Sequence, residues 1–264
     1  MKTVKGENTL LIGAQLFSVR NYLTDRKGIE EAFRRTRELG YRCVQYSGAP
    51  GGAFDPSFLS EMIAKYHLPV TLTHIPYQRL TEDLDGVIRD HLAIGCPHIG
   101  LGMMPREAMA DRASLDAFVS EMRDLTERIE DAGCHFYYHN HNVEFAKVDG
   151  VRVFDYLLES LPKLNFTLDL HWLQRGGVSV LEYIEKCKGR IRCVHLKDFR
   201  VEWFDEKFAP VGEGNLNWGE ILPALERNGT EYAFVEQDDA PDYGDPFDQM
   251  KISIDHLRAW GYAK

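Results

Sequence analysis

Three apolar runs in the second half of the chain each stop on a side chain able to hold a cation. They are Asn165-Phe166-Thr167-Leu168-Asp169, Ile191-Arg192-Cys193-Val194-His195 and Tyr232-Ala233-Phe234-Val235-Glu236. Each has the length and composition of a strand buried on both faces, as in a parallel sheet covered by helices. Successive strand ends that all present metal-competent groups imply one site built on the C-terminal edge of that sheet. This is the construction of the rim of an αβ barrel.

The rest of the chain supports closure into such a barrel. Leu10–Val19 reads as a first strand, followed by Asp25 as a helix cap, a stripe of Ile29, Ala32, Phe33 and Leu39, and Gly40 as the stop. Tyr41–Tyr46 is the second strand, and Asp55-Pro56 starts a helix with Phe58, Leu59, Met62, Ile63 and Tyr66 on one face. Pro69–Ile75 is the third, with a helix over Glu82–Leu92, and His98–Leu101 the fourth. A long amphipathic helix from Leu115 to Ile129 precedes the fifth strand, Cys134–His139. Helices carrying Phe154, Leu157, Leu158 and Leu161, then Val180–Cys187, Trp218–Leu225 and a segment after Asp245-Pro246, alternate with the last three strands. No proline- or serine-rich linker interrupts the series, so residues 1–264 read as one domain, a single (β/α)8 TIM barrel. A doubly wound sheet is the alternative, but the first turn lacks the GxGxxG of dinucleotide binding.

Composition narrows the partners. The 264 residues carry a formal net charge of −10, which disfavours a nucleic-acid partner because such affinity is built on Lys and Arg contacts to phosphate. Met1–Glu7 shows no leader pattern, and the apolar run Leu10–Phe17 is too short for a membrane anchor. Five cysteines without a CxxC pair fit reduced thiols and a cytoplasmic location. A homo-oligomer is left open.

The chemistry centres on Asp169, His195 and Glu236. An Asp/His/Glu set suits a divalent cation such as Mn²⁺, Mg²⁺, Co²⁺ or Zn²⁺. Two carboxylates about 5 Å apart repel by roughly 3 kcal/mol at an effective dielectric near 20, and a cation turns that cost into attraction. Singly, an aspartate after a strand is commonly a helix cap and a histidine a core residue; three at equivalent strand ends point to one site. The fifth strand adds His139, His141 and Glu144, any of which can complete the coordination sphere. The string His139-Asn140-His141 does not mark a nuclease of that name, since here it ends a parallel strand.

Taken together, Ile12–Arg20, Tyr138–Phe145, Leu168-Asp169, Val194–Asp198, Val211–Asn215 with Trp218, and Val235–Asp238 resemble the xylose-isomerase-like barrel superfamily. That superfamily includes sugar phosphate isomerases and epimerases, inosose dehydratases and an apurinic-site endonuclease branch. The resemblance implies metal ligands at Asp169, His195 and Glu236. The family's fifth-strand ligand is a glutamate that doubles as acid/base; this chain has His139 there. The reading adopted from the resemblance takes Glu144 as the fourth ligand and His141 as a base, with Glu236 and His139 as further catalytic groups.

The implied reaction is proton abstraction next to a carbonyl of a small sugar or cyclitol, the cation stabilising the enediolate charge. Lys197, His74, Gln15 and Trp172 are candidate substrate contacts, and Phe199–Asn217 is a candidate lid loop. Isomerase or epimerase is the leading activity. A lyase using the same chemistry, on a keto-inositol or 3-keto-glycoside, is the runner-up. An apurinic-site endonuclease or a non-catalytic sugar-binding subunit is less favoured. No phosphate-binding loop stands out, which suggests an unphosphorylated substrate.

Overall fold

The computed structural model of the chain describes residues 10–264; the expectation about Met1–Glu7 lies outside them. Eight parallel strands form one sheet: β1 Leu11–Gln15, β2 Cys43–Tyr46, β3 Val70–Thr73, β4 His98–Leu101, β5 His135–His139, β6 Asn165–Asp169, β7 Cys193–Leu196 and β8 Tyr232–Val235. Their order, β3-β2-β1-β8-β7-β6-β5-β4, is that of a barrel opened at one seam. The seam between β3 and β4 is nearly closed, with Ile75 N–H donating to Gly100 O at 2.8 Å. Gly100 permits this approach, since a Cβ there would lie 2.3 Å from the Thr73 carbonyl oxygen. The chain is a single (β/α)8 TIM barrel, as its alternating pattern predicts.

Two apolar layers hold it together. The barrel interior is plugged by Cys43, Leu72, Tyr137, Cys193 and Phe234, with Tyr232 against them. The larger core lies between sheet and helices. Helix starts are set by aspartates: the carboxylates of Asp25, Asp55, Asp83 and Asp111 accept from the backbone N–H of Gly28, Phe58, Gly86 and Ser114 at 2.7, 3.1, 3.2 and 2.8 Å. All five cysteines are buried and unpaired. Among the described residues no helix is long and apolar enough to cross a membrane.

Three segments differ from the sequence expectation. The first strand ends at Gln15, not Val19, because the Gln15 carboxamide oxygen accepts from Phe17 N and starts a 3-10 helix over Leu16–Tyr22. The helix expected over Glu82–Leu92 is two, Tyr77–Glu82 and Leu84–Ala93, divided where Asp83 caps the second. The expected lid loop is a β-hairpin, Asp198–Glu202 paired with Asp205–Ala209, followed by a glycine-rich turn. The fully exposed Trp203 and Phe204 form its tip.

Two buried histidines tie pH to stability. His91 bonds the Thr73 hydroxyl and Val87 O, each at 2.7 Å, and His98 bonds Thr71 O at 2.8 Å. Burial pushes both down to about 4. The unfolded rings take protons near pH 6.5 and the folded ones only near 4, so stability is present above 6.5 and is lost as pH falls toward 4. At about 1.4 kcal/mol per pH unit, each ring contributes up to roughly 3 kcal/mol of that loss. Urea unfolding at stepped pH should show the decline, and replacing both rings by glutamine should make it shallower; an unchanged slope in the double variant would refute the assignment.

Candidate metal centre

Register brings the site together. On β6 and β7, Asp169 lies directly opposite His195, so both point into the barrel mouth and a one-residue slip would turn both outward. Glu236 follows β8, where its N–H donates to Leu196 O at 3.1 Å. His139 is the last residue of β5. Ligand atoms of His139, Asp169, His195 and Glu236 all lie within 4.8 Å of one another, and all four residues are buried. His139 Nε2 is 3.4 Å and His195 Nδ1 3.5 Å from Asp169 Oδ2, and His195 Nδ1 is 2.8 Å from Glu236 Oε2.

Three of the four groups are oriented from behind. The Asp169 Oδ1 caps the short helix Leu170–Arg175 by accepting from Trp172 N at 3.0 Å, which leaves Oδ2 facing the cluster. His139 Nδ1 lies 3.1 Å from Gly102 O, and His195 Nε2 lies 2.6 Å from Gln45 Oε1. The opposed nitrogens are thereby aimed at the carboxylates. Despite their closeness, neither His195 Nδ1 nor Glu236 Oε2 has a hydrogen bond of acceptable geometry. Converging buried donors that do not satisfy one another are what a cation centre requires, and the residues present fit a divalent ion.

Lys197 is the local counter-charge. Its buried ammonium lies 3.3 Å from Asp169, 3.0 Å from Glu236 and 3.1 Å from Asp238. Burial opposes ionisation of Asp169 and Glu236, but Lys197 and the neighbouring histidines outweigh it and hold both below the usual carboxylate range. Burial also opposes the charged form of His195, yet Glu236 and Asp169 raise it to about 9. Asp238 goes the other way: burial and the nearby Glu236 push it up to about 6.

Glu144, the expected fourth ligand, is not part of the cluster; His139 takes that place. The Glu144 carboxylate instead accepts from the Tyr138 hydroxyl at 2.6 Å and from His141 N at 2.7 Å, bracing the loop beyond β5. Strand alternation explains the exchange: Tyr138 faces the helices while His139 faces the mouth. His141 stands with its ring centroid 4.6 Å from that of His139, and burial, His139 and Lys197 lower it to about 3. Its basicity is thus far below that expected of an ordinary histidine.

The expected substrate contacts surround the cluster. The His74 ring stacks on His139 at 5.1 Å between centroids. The Trp172 ring centroid is 5.2 Å from Lys197 Nζ, with Phe208 of the hairpin at 5.7 Å. His74 Nε2, His141 Nδ1, Trp172 Nε1 and Gln15 Nε2 are buried polar atoms without protein partners. Sequence reasoning missed Asp238 and Gln45. Asp238 was open to discovery, since it lies only two residues past Glu236, and both carboxylates reach Lys197.

The family model for the xylose isomerase-like TIM barrel matches residues 33–260. The chain belongs to that family. No curated protein matches this xylose isomerase-like barrel significantly. Among solved structures, it is similar to a sugar phosphate isomerase/epimerase from Parabacteroides distasonis, with a TM-score of 0.80, 22% identity, and 97% of this chain and 100% of that one covered. It is also similar to a probable 3-DHS dehydratase from Bacillus anthracis (TM-score 0.73, 13% identity, 94% and 98% covered). A third is a D-allulose 3-epimerase from Methylomonas sp. (TM-score 0.69, 14% identity, 96% and 98% covered). These likenesses establish the barrel.

One side of the mouth is tied down by a single carboxylate. Asp198 accepts from Gly212 N, Gly214 N, Leu216 N and Trp218 Nε1 at 3.0, 3.2, 3.2 and 2.6 Å. A Cβ on Gly214 would lie 2.2 Å from Asp198 Oδ1, so only glycine fits there. Asp198→Ala would orphan these donors at about 1–3 kcal/mol for each one left buried. Denaturant unfolding should register a loss of at least about 3 kcal/mol; a loss under about 1 kcal/mol would show that water replaces the carboxylate.

Proposed function

We propose that this chain is a divalent-metal-dependent isomerase or epimerase of a small, unphosphorylated sugar or sugar derivative, acting by proton abstraction beside a carbonyl. The observation that carries the reading is the buried His139–Asp169–His195–Glu236 cluster at the barrel mouth. When bound there, a divalent ion would draw off the negative charge that develops on neighbouring substrate oxygens. The sugar-modifying proteins among its structural neighbours agree with this reading.

The chain's own groups supply the rest. The Lys197 ammonium, kept charged by its carboxylate neighbours, donates to a developing oxyanion. His74 Nε2, Trp172 Nε1 and Gln15 Nε2, which lack protein partners, take substrate hydroxyls. The faces of Trp172 and Phe208 flank the apolar side of the ring. Glu236 is the proton carrier, the neutral and weakly basic His141 stands beside it to hold a substrate hydroxyl, and His139 belongs to the cation-holding set.

A lyase on the same chemistry is the second reading, and the substitution at β5 favours it. Epimerisation of the kind the resemblance implies uses one carboxylate on each face of the substrate carbon. Here the cluster holds one glutamate, with His139 in the other's place. Elimination needs a base and a leaving-group acid of unlike strength, which suits an unequal pair.

The two are separable in deuterium oxide. Metal-loaded protein would be incubated with ketoses, aldoses and keto-cyclitols and followed by NMR. The expected result is deuterium at the carbon beside the carbonyl in an intact skeleton, slowed at least about a hundredfold in Asp169→Asn. Release of water or another leaving group would establish the lyase instead. Absence of exchange and elimination across the panel, with ion bound, would overturn both.

A further inference from the structure

We propose that the centre is a two-nitrogen, two-oxygen cation site selective for zinc or cobalt over magnesium, and that Gln45 is a positioning residue that sets this preference. The inference rests on the reading of the cluster as a cation centre and goes further, to the class of ion and to a residue outside the donor set.

The donor count comes from the partners behind each ring. A backbone carbonyl can only accept, so His139 carries its proton on Nδ1, 3.1 Å from Gly102 O, and turns the Nε2 lone pair toward Asp169. His195 is fixed in the opposite sense: Nε2–H donates to Gln45 Oε1 at 2.6 Å, which leaves Nδ1 for the cluster. The two rings thus offer different nitrogens to one point, each locked by a partner on another strand or loop. Asp169 contributes one oxygen, because Oδ1 is committed to Trp172 N. Glu236 contributes Oε2, which faces His195 Nδ1 at 2.8 Å and is ion-paired with Lys197 Nζ at 3.0 Å.

Imidazole nitrogens suit zinc, cobalt, nickel and iron, whereas magnesium takes oxygen ligands and gives up its water reluctantly. Charge agrees with a dication. Asp169, Glu236 and Asp238 supply three negative charges and Lys197, shared among them, one positive charge, which leaves a net of two for the ion. Calcium is poorly served, since it needs six to eight oxygens and the cluster offers two.

Gln45 is outside the donor set, yet its carboxamide oxygen fixes the tautomer of His195. It reaches across the mouth from β2, fully buried, and its Nε2 has no partner. Acceptors placed behind a metal-binding histidine set ring orientation and basicity, and their loss typically costs 10–100-fold in affinity.

The test measures binding by metal-stripped, full-length protein through competition with a chelating dye at fixed pH, with Zn²⁺, Co²⁺ and Mg²⁺ as probes. Unaltered protein should prefer Zn²⁺ and Co²⁺ to Mg²⁺ by more than about a hundredfold. Gln45→Leu should weaken Zn²⁺ binding by about 10–100-fold with an unchanged circular dichroism spectrum, and Gln45→Glu, which keeps an acceptor, should restore it. His139→Glu should lower the zinc-to-magnesium ratio at least about tenfold. A smaller preference in the unaltered protein, or Gln45→Leu binding Zn²⁺ normally, would overturn this inference and leave the proposed function standing. Failure of every ion to bind would overturn the proposed function as well.

Discussion

Two carboxylates of the same sign, Asp169 and Glu236, are held in a water-poor mouth, and much of the surrounding structure answers that problem. Lys197 lies within 3.3 Å of both, and the histidine rings are turned toward them with their far nitrogens already occupied. A buried charge without a partner costs several kcal/mol, so each of these groups is placed by the electrostatics and not by packing alone. The barrel makes such an arrangement affordable because a deep apolar plug beneath the site fixes the strand ends that carry it.

Much of this was written plainly in the sequence. Asp169, His195 and Glu236 close apolar runs of strand length, and parallel strands in a closed barrel bring such ends together whatever the loops do. His139 against Glu144 was harder to decide, because the choice depends on where Tyr138 points. Once Tyr138 is seen to face the helices, its hydroxyl is within reach of Glu144 and the carboxylate is taken out of the mouth. Gln45 was invisible for another reason. A lone glutamine in a strand has no meaning until the residue across the barrel is known, and that partner lies 150 positions away.

The boundaries that failed did so where polar side chains intervene locally. Apolar patterning continues past Gln15, but its own carboxamide caps the next turn and ends the strand. Asp83 likewise divides one amphipathic stretch into two helices. In the segment after β7, Phe199 and Val201 alternate with polar neighbours, but the run is short and the glycines that follow at 212 and 214 read as loop, which hid a hairpin whose ladder runs from Asp198 to Ala209. Short-range hydrogen bonding of this kind outweighs periodicity over three or four residues and is outweighed by it over ten.

The Asp198 hub bears on how solutes reach the cation centre. By gathering amide donors from Gly212 to Leu216 together with the Trp218 indole, it welds the root of the hairpin to the start of the following helix. That flank of the doorway is therefore a fixed jamb. Any widening of the entrance must be taken up elsewhere on the rim.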